Sequence, residues 1–470
     1  LCPSLPLPSN SAINRTDRKT FSESVFPLNS TAQGFSSPLQ AFEHQDDIFS
    51  SAFSVLNNAI ATRAFPAASL AVTHQGRLVA LKAAGHLIYE SDAGAPPFSR
   101  ALREGGGVDV PSDKSEVGAP FLASLASSGN LPVQSATLFD LASLTKVVAT
   151  ATMCMILYER GLLDLDAPVA AIVPEFISAS PETKQDLRRR EVTLRMLLAH
   201  SSGLPAYERL FVKAHTCDEL LHAALAISLA TDPGQRAEYS DIGFIILGVA
   251  LERLANESLD RFCQREVFGP LGMTSTTYNP PPGQRKNIPP TANEYGANPP
   301  LRDTPESQPS AGVKQNLALS QSSTFRGRII QGEVHDQNAS VLGGVAGHAG
   351  VFATAQDVAR FAHCILNGGP PILRPETVAL FTRRESSPEG TSRALGWDTP
   401  SPPSQSGKYF SSSSFGHLGY TGTSLWIDPE RQLSVTLLTN RTWPDCANDA
   451  IKRLRPNFHD AVIEALEKFA

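Results

Sequence analysis

Ser143 and Lys146 stand at positions i and i+3 in Leu141-Ala142-Ser143-Leu144-Thr145-Lys146. On a helix these positions share a face, which sets an amine beside a hydroxyl one turn away. Such a pair can make a nucleophile, because a lysine desolvated by apolar neighbours has a lowered pKa and can take the serine proton. The strand-like Thr137-Leu138-Phe139 precedes Ser143, and an apolar helix ending at Gly161 follows it. Ser143 is therefore expected at or near a helix start, where unpaired N–H groups favour an anion and its own N–H can face a developing oxyanion. Taken alone, the same residues also fit a serine N-cap followed by an exposed lysine. Roughly one or two Ser-x-x-Lys matches arise by chance in a chain of this length.

Two further stretches carry groups suited to the same chemistry. Glu238-Tyr239-Ser240-Asp241-Ile242-Gly243 leads into an apolar helix and supplies a phenol with a carboxylate close behind it. A tyrosine paired with a lysine can relay a proton to a leaving group. The plain alternative is a core tyrosine followed by a helix-capping aspartate. Phe415-Gly416-His417-Leu418-Gly419-Tyr420-Thr421-Gly422 then runs into a strand, with glycines that let backbone approach a ligand. Its plain alternative is a glycine-containing strand start.

The elements around these residues follow from hydrophobic periodicity. Residues 1–40, rich in Pro, Ser, Thr and Asn, read as an extended or disordered arm, and 41–470 as the folded domain. Phe42 to Thr62 is helical, with Ile48, Phe53, Leu56 and Ile60 on one face. Ser69–Thr73 and Leu78–Leu81 read as strands around a Gln75-Gly76 turn. Residues near 91–133 and 279–323 lack periodicity and read as two long insertions. Helices are expected at Thr193–His200, Cys217–Thr231, Asp241–Ala255 and Gln356–Asn367. Thr423–Asp428 and Leu433–Leu438 read as strands flanking a turn, and Asn457–Phe469 as a closing amphipathic helix. Strands at both ends with helices between them predict an α+β fold: a sheet packed by helices, with an all-helical lobe inserted in its middle.

Taken together, Ser143-Leu144-Thr145-Lys146, Tyr239-Ser240-Asp241 and His417-Leu418-Gly419 resemble the three-motif order of serine β-lactamases and penicillin-binding proteins. Within that superfamily the chain looks most like the class C β-lactamase branch, with its esterases and D-amino-acid peptidases. Leu138-Phe139-Asp140-Leu141-Ala142, Leu197 to Pro205 and Gly347 to Phe352 resemble segments of the same branch. The likeness runs from about Phe42 to the C-terminus, interrupted by the insertions. It implies an antiparallel β-lactamase/transpeptidase-like sheet and a cleft between sheet and helical lobe. It also implies acylation of Ser143, acid–base work shared by Lys146 and Tyr239, and an oxyanion hole of the Ser143 and Tyr420 backbone N–H groups. Asp241, His417 and Gly419 fall at substrate-binding positions. Asp241 stands where the branch has Asn, and His417-Leu418 where it has Lys-Thr. The first adds a negative charge and the second loses most of a positive one, which disfavours an anionic substrate such as a β-lactam and favours neutral esters, amides or other acyl donors. An inactive binding or sensor protein on the same fold is the alternative that these departures support.

The bulk properties agree. The chain has 470 residues, 41% of them hydrophobic and 18% charged, and a net charge of −6 without blocks of like charge. That excludes nucleic acid as a main partner and leaves a small-molecule or peptide acyl substrate. The apolar run Val147–Tyr158 is too short to span a membrane and reads as a core helix. No export signal is read in the first residues, and Leu1 rather than Met opens the chain, so compartment is not read there. The resemblance is compatible with a soluble, extracytoplasmic or secreted setting. Six scattered cysteines have no metal-ligand spacing, and most are expected as buried free thiols. No cofactor or metal is expected: His335 and His348 lack helical ligand spacing and read as parts of a hydrogen-bonded loop. No Gly-x-Ser-x-Gly elbow occurs, and Gly422-Thr423-Ser424 enters a strand without triad partners.

Overall fold

The computed structural model describes residues 44–89, 130–294 and 325–469. The expected arm 1–40 lies outside the described residues, as do most of 91–133 and the part of 279–323 beyond residue 294. Ten strands occur among the described residues: β1 (Ala67–His74), β2 (Arg77–Gly85), β3 (Phe139–Asp140), β4 (Thr277–Tyr278), β5 (Ala292–Asn293), β6 (Ile329–Ile330), β7 (Val351–Ala353), β8 (Phe415–Leu418), β9 (Ser424–Asp428) and β10 (Leu433–Thr439). The main sheet is antiparallel, in the order β2-β1-β10-β9-β8. Early and late parts of the chain thus pair directly, with Leu70 opposite Leu437.

The β1–β2 hairpin forms because Gln75 and Gly76 both take positive φ, 48° and 78°, the backbone of a turn whose twist matches the strands. Alternation then sends side chains to two cores. Leu70, Val72, Leu433, Val435 and Leu437 face helices Ser50–Ala61 and Ile451–Phe469 through Phe53, Leu56, Phe458 and Val462. Ala71 and Leu438 face the larger core on the other side, where helix Ala355–Leu366 lies across β1, β9 and β10. This is the α+β architecture that the sequence predicts, an antiparallel sheet packed by helices with a helical lobe between its early and late strands.

The helical lobe is centred on Asp241–Ala255, whose bounds match the sequence reading. It is apolar nearly all round because neighbours enclose it. Val147–Leu157 is core, as expected, with Tyr158 exposed at its end, and no helix among the described residues is long and apolar enough to cross a membrane.

Several boundaries differ from expectation. The last helix begins at Ile451 and continues through Pro456. A proline has no N–H for the preceding turn, and Gln405 Nε2 takes up the freed Lys452 carbonyl at 3.0 Å. Helix Cys217–Ala226 ends before the expected Thr231. The stretch starting at 279 is partly structured, with a helical turn at Pro282–Arg285 and β5 paired to β6. Cys154, Cys263 and Cys364 are buried free thiols as expected, whereas Cys217 is disulfide-bonded.

One charged side chain in the lobe core has no signal in the sequence. The fully buried Arg189 donates to the carbonyls of Phe176 at 2.6 Å and of Leu225 and Ile227 at 2.7 Å each, its guanidinium 3.9 Å above the Phe176 ring. Replacing it strands three buried acceptors. Arg189→Met should lower stability by about 3 kcal/mol or more, read as a fall in the urea midpoint. An unchanged midpoint would contradict the packing described.

Candidate active site

The chain reaches Ser143 through a backbone that could not be read from periodicity. Instead of opening an α-helix, Ala142–Leu144 forms a 3-10 turn, Lys146–Ala151 a wider π turn, and only Thr152–Glu159 an α-helix. Ala142, just before Ser143, has φ 47°, a left-handed conformation that costs an L-residue roughly 1–2 kcal/mol. In a 3-10 turn side chains at i and i+3 eclipse, and Lys146 Nζ donates to Ser143 Oγ at 3.0 Å.

Lys146 is wholly buried, so its three protons need acceptors. It has three: Ser143 Oγ, Asp241 Oδ1 at 2.6 Å and the His348 carbonyl at 3.0 Å. Each comes from a different segment. Asp241 opens the central helix of the lobe, behind the Ser240 cap. His348 lies in a glycine loop pressed onto that helix, so close that a Cβ on Gly347 would sit 2.2 Å from the Phe244 carbonyl. Thr150 Oγ1 ties the same loop down through the Gly347 carbonyl at 2.6 Å.

Tyr239 Oη lies 2.7 Å from Ser143 Oγ, so the hydroxyl is held by amine and phenol together. The Tyr239 ring packs 4.7 Å from that of His200, whose Nδ1 accepts from the Ser240 N–H at 3.0 Å. Burial raises the Tyr239 pKa, and the Asp241 charge raises it further. The phenol is therefore protonated and can donate.

The lysine departs from expectation. Burial pulls its pKa down, but the Asp241 carboxylate and Tyr239 more than offset this, and the net shift is upward. Lys146 rests as an ammonium paired with Asp241 rather than as a free amine. Asp241 itself, expected to contact substrate, faces the lysine instead.

The strand side of the cleft carries β8 and the turn after it. His417 is buried; burial and the charges of Lys146 and Arg393 hold its pKa well below the ordinary value, so it is neutral. Its Nδ1 pairs with the Leu418 carbonyl at 2.8 Å. That carbonyl can only accept, which places the ring proton on Nδ1 and leaves Nε2 an acceptor with no partner among the described residues. Gly419 is required for packing: a Cβ there would sit 2.6 Å from the Leu141 carbonyl and closer still to Thr423 Oγ1. The turn is latched to the Ser143 segment by Thr421 Oγ1 on the Asp140 carbonyl at 2.8 Å and Thr423 Oγ1 on that of Leu141 at 2.9 Å. Tyr420 is thereby held beside the serine turn. Among the described residues no acceptor engages the backbone N–H of Ser143 or Tyr420.

Sequence reasoning missed Arg393. Its guanidinium lies 5.5 Å from the centre of the Tyr239 ring and 3.5 Å from the Asp398 carboxylate. It sets a guanidinium, itself paired with Asp398, on the wall where the His417 position carries no charge. Nothing in periodicity marks it, since it comes from the loop before Trp397. His348 and His335 do not act together: His348 Nε2 pairs with Asp336 at 2.9 Å, whereas the His335 ring lies 5.6 Å from that of Tyr420. Among the described residues no group of three or more His, Cys, Asp or Glu could hold a metal ion.

Residues 51–455 match the family described as Beta-lactamase. The chain is 32% identical over 322 residues to a "Putative D-alanyl-D-alanine carboxypeptidase" of Escherichia coli (strain K12), covering 65% of this chain and 69% of that protein. It is equally 32% identical, over 324 residues, to an "N-acetylmuramyl-L-alanine amidase" of Bacillus subtilis (strain 168), covering 65% and 68%. Among solved structures it resembles EstCE1, "a hydrolase with promiscuous acyltransferase activity" (TM-score 0.62, 20% identity, 89% and 99% covered). It also resembles a class C beta lactamase from Rhodobacter sphaeroides (TM-score 0.56, 18% identity, 90% and 99% covered). At such identities these two likenesses are of fold.

The Lys146–Asp241 pair generates a pH prediction. Asp241 holds the lysine pKa above its ordinary value, so the amine form is scarce at neutral pH. Without the carboxylate the largest upward pull is gone and burial draws the pKa down, opposed only by Tyr239. In Asp241→Asn the acid limb of Ser143 labelling by a fluorophosphonate, followed against pH, should move to lower pH. An unmoved limb would rule out this coupling.

Proposed function

The chain belongs to the beta-lactamase family of serine hydrolases, and on that premise we propose that Ser143 attacks the carbonyl of an amide or ester substrate to form an acyl-enzyme. The observation that carries this reading is the pair of contacts on Ser143 Oγ, 3.0 Å from Lys146 Nζ and 2.7 Å from Tyr239 Oη. The step runs from the amine form of Lys146, which the 2.6 Å contact with Asp241 keeps scarce at neutral pH. As the Oγ–C bond forms, the serine proton passes to Lys146. The carbonyl oxygen becomes an oxyanion between the N–H groups of Ser143 and Tyr420. Collapse breaks the bond to the leaving group, which takes the Tyr239 proton, and Lys146 reprotonates the phenol. Water or another acceptor then resolves the ester with the same groups.

For the substrate, Arg393 revises the expectation from charge alone. A guanidinium beside a neutral imidazole acceptor suits an acyl compound with a carboxylate near the scissile bond and an N–H or O–H donor next to it. Peptide-like amides have both, in keeping with the names of the carboxypeptidase and amidase relatives. Arg393→Ala should raise KM about 10-fold for a substrate bearing that carboxylate and leave KM for a neutral p-nitrophenyl ester unchanged. Equal effects on both would remove Arg393 from substrate recognition.

A second reading, a binding protein without turnover, draws on the ammonium state of Lys146. Intact mass after incubation with a fluorophosphonate or a penicillin separates the two. Wild type should gain one adduct and Ser143→Ala none. No adduct on wild type, or equal labelling of Ser143→Ala, would overturn the nucleophile assignment.

A further inference from the structure

We infer that Asp140 is a positioning residue for the proposed nucleophile, holding the strained turn before Ser143 with one carboxylate oxygen and the cleft loop at His335 with the other. This rests on the assignment of Ser143 as nucleophile. Asp140 Oδ1 accepts from the Ala142 N–H at 2.8 Å, and Oδ2 accepts from the His335 N–H at 2.6 Å. The side chain is buried, and its backbone carbonyl takes the Thr421 hydroxyl that latches the Tyr420 turn. One residue therefore touches all three segments that frame Ser143: the serine turn, the His335 loop and the turn after β8.

The work done at Ala142 is specific. Its φ of 47° is unfavourable for an L-residue, and such a conformation persists only where surrounding contacts over-determine it. The Asp140 oxygen supplies that contact directly at the N–H of the strained residue. The other end is equally fixed. Arg326 donates to the carbonyls of Val334 at 2.7 Å and His335 at 2.9 Å while paired with the buried Glu294. Asp336 caps the helix that follows, accepting from the Ala339 N–H at 2.7 Å. Asp140 thus ties the serine turn to a loop that cannot yield. The carboxylate is required in this role because both partners are N–H donors. An asparagine can accept from only one of them and must set an N–H2 against the other. Burial raises the Asp140 pKa to about 6 against the pull of both hydrogen bonds.

The experiment uses the full chain and the rate constant of fluorophosphonate labelling at Ser143, with active sites titrated so that only the competent fraction is counted. Asp140→Asn should lower that rate constant about 100-fold, the scale of a small misplacement of a reacting group. For ester turnover kcat should fall similarly while KM stays within about twofold, because no substrate contact is removed. Adding Ala142→Gly, which takes the left-handed conformation without strain, should recover at least about fivefold of the loss, the Boltzmann weight of about 1 kcal/mol of relieved strain. A merely structural role would lower the competent fraction and leave its rate constant unchanged, which would overturn the inference. So would a double variant no faster than Asp140→Asn. A wild type that takes no label fails the nucleophile reading itself, an outcome distinct from either.

Discussion

A lysine ammonium with no access to water imposes the strongest constraint on this molecule. Unpaired, such a charge costs several kcal/mol, so the fold must bring three acceptors to one nitrogen. It draws them from Ser143 on the same turn, from Asp241 at the head of the lobe's central helix, and from the His348 carbonyl on a glycine loop. Much else follows from that convergence. Gly347 must lack a Cβ for the loop to lie on the helix, Ser240 must cap the helix for Asp241 to face inward, and His200 must brace the segment carrying Tyr239.

The same convergence explains why sheet and lobe act as one unit around the cleft. β3 pairs with β7, which anchors the residues before Ser143 to those after His348. Thr421 and Thr423 hold the opposite side to the Asp140 and Leu141 carbonyls. The serine turn is therefore gripped from both flanks, and its left-handed Ala142 is sustained by contacts rather than by preference. Rigidity of this kind is what acyl transfer asks of a nucleophile, since small misplacements are costly in rate.

Charge is arranged differently here from the pattern of the related enzymes. The aspartate in the second motif is turned onto the lysine, so its negative charge is spent within the lobe rather than shown to substrate. The histidine of the third motif is neutral and presents a lone pair. Arg393 stands over the Tyr239 ring and brings the cation to the cleft from another loop. Counting charges along the motifs subtracts two, whereas in the assembled cleft Asp241 is paired with Lys146 and Arg393 with Asp398.

The sequence by itself determined the fold class, the helix Asp241–Ala255, the strands at both ends and the grouping of Ser143, Lys146 and Tyr239. These are legible because period-two and helical alternation report which face is buried, and because three motifs in order are specific where each alone is common. Tertiary structure decided the rest. The 3-10 and π turns around Ser143, and the hydrogen bond from Ala142 to Asp140 at their start, leave no periodic trace. The last helix passes through Pro456, with the freed Lys452 carbonyl taken up by Gln405, distant in sequence. Sequence alone points to a lowered lysine pKa, because burial is the only influence legible there. Its reversal required the 2.6 Å approach of Asp241, and a distance between residues so far apart in the chain is set by how the lobe packs.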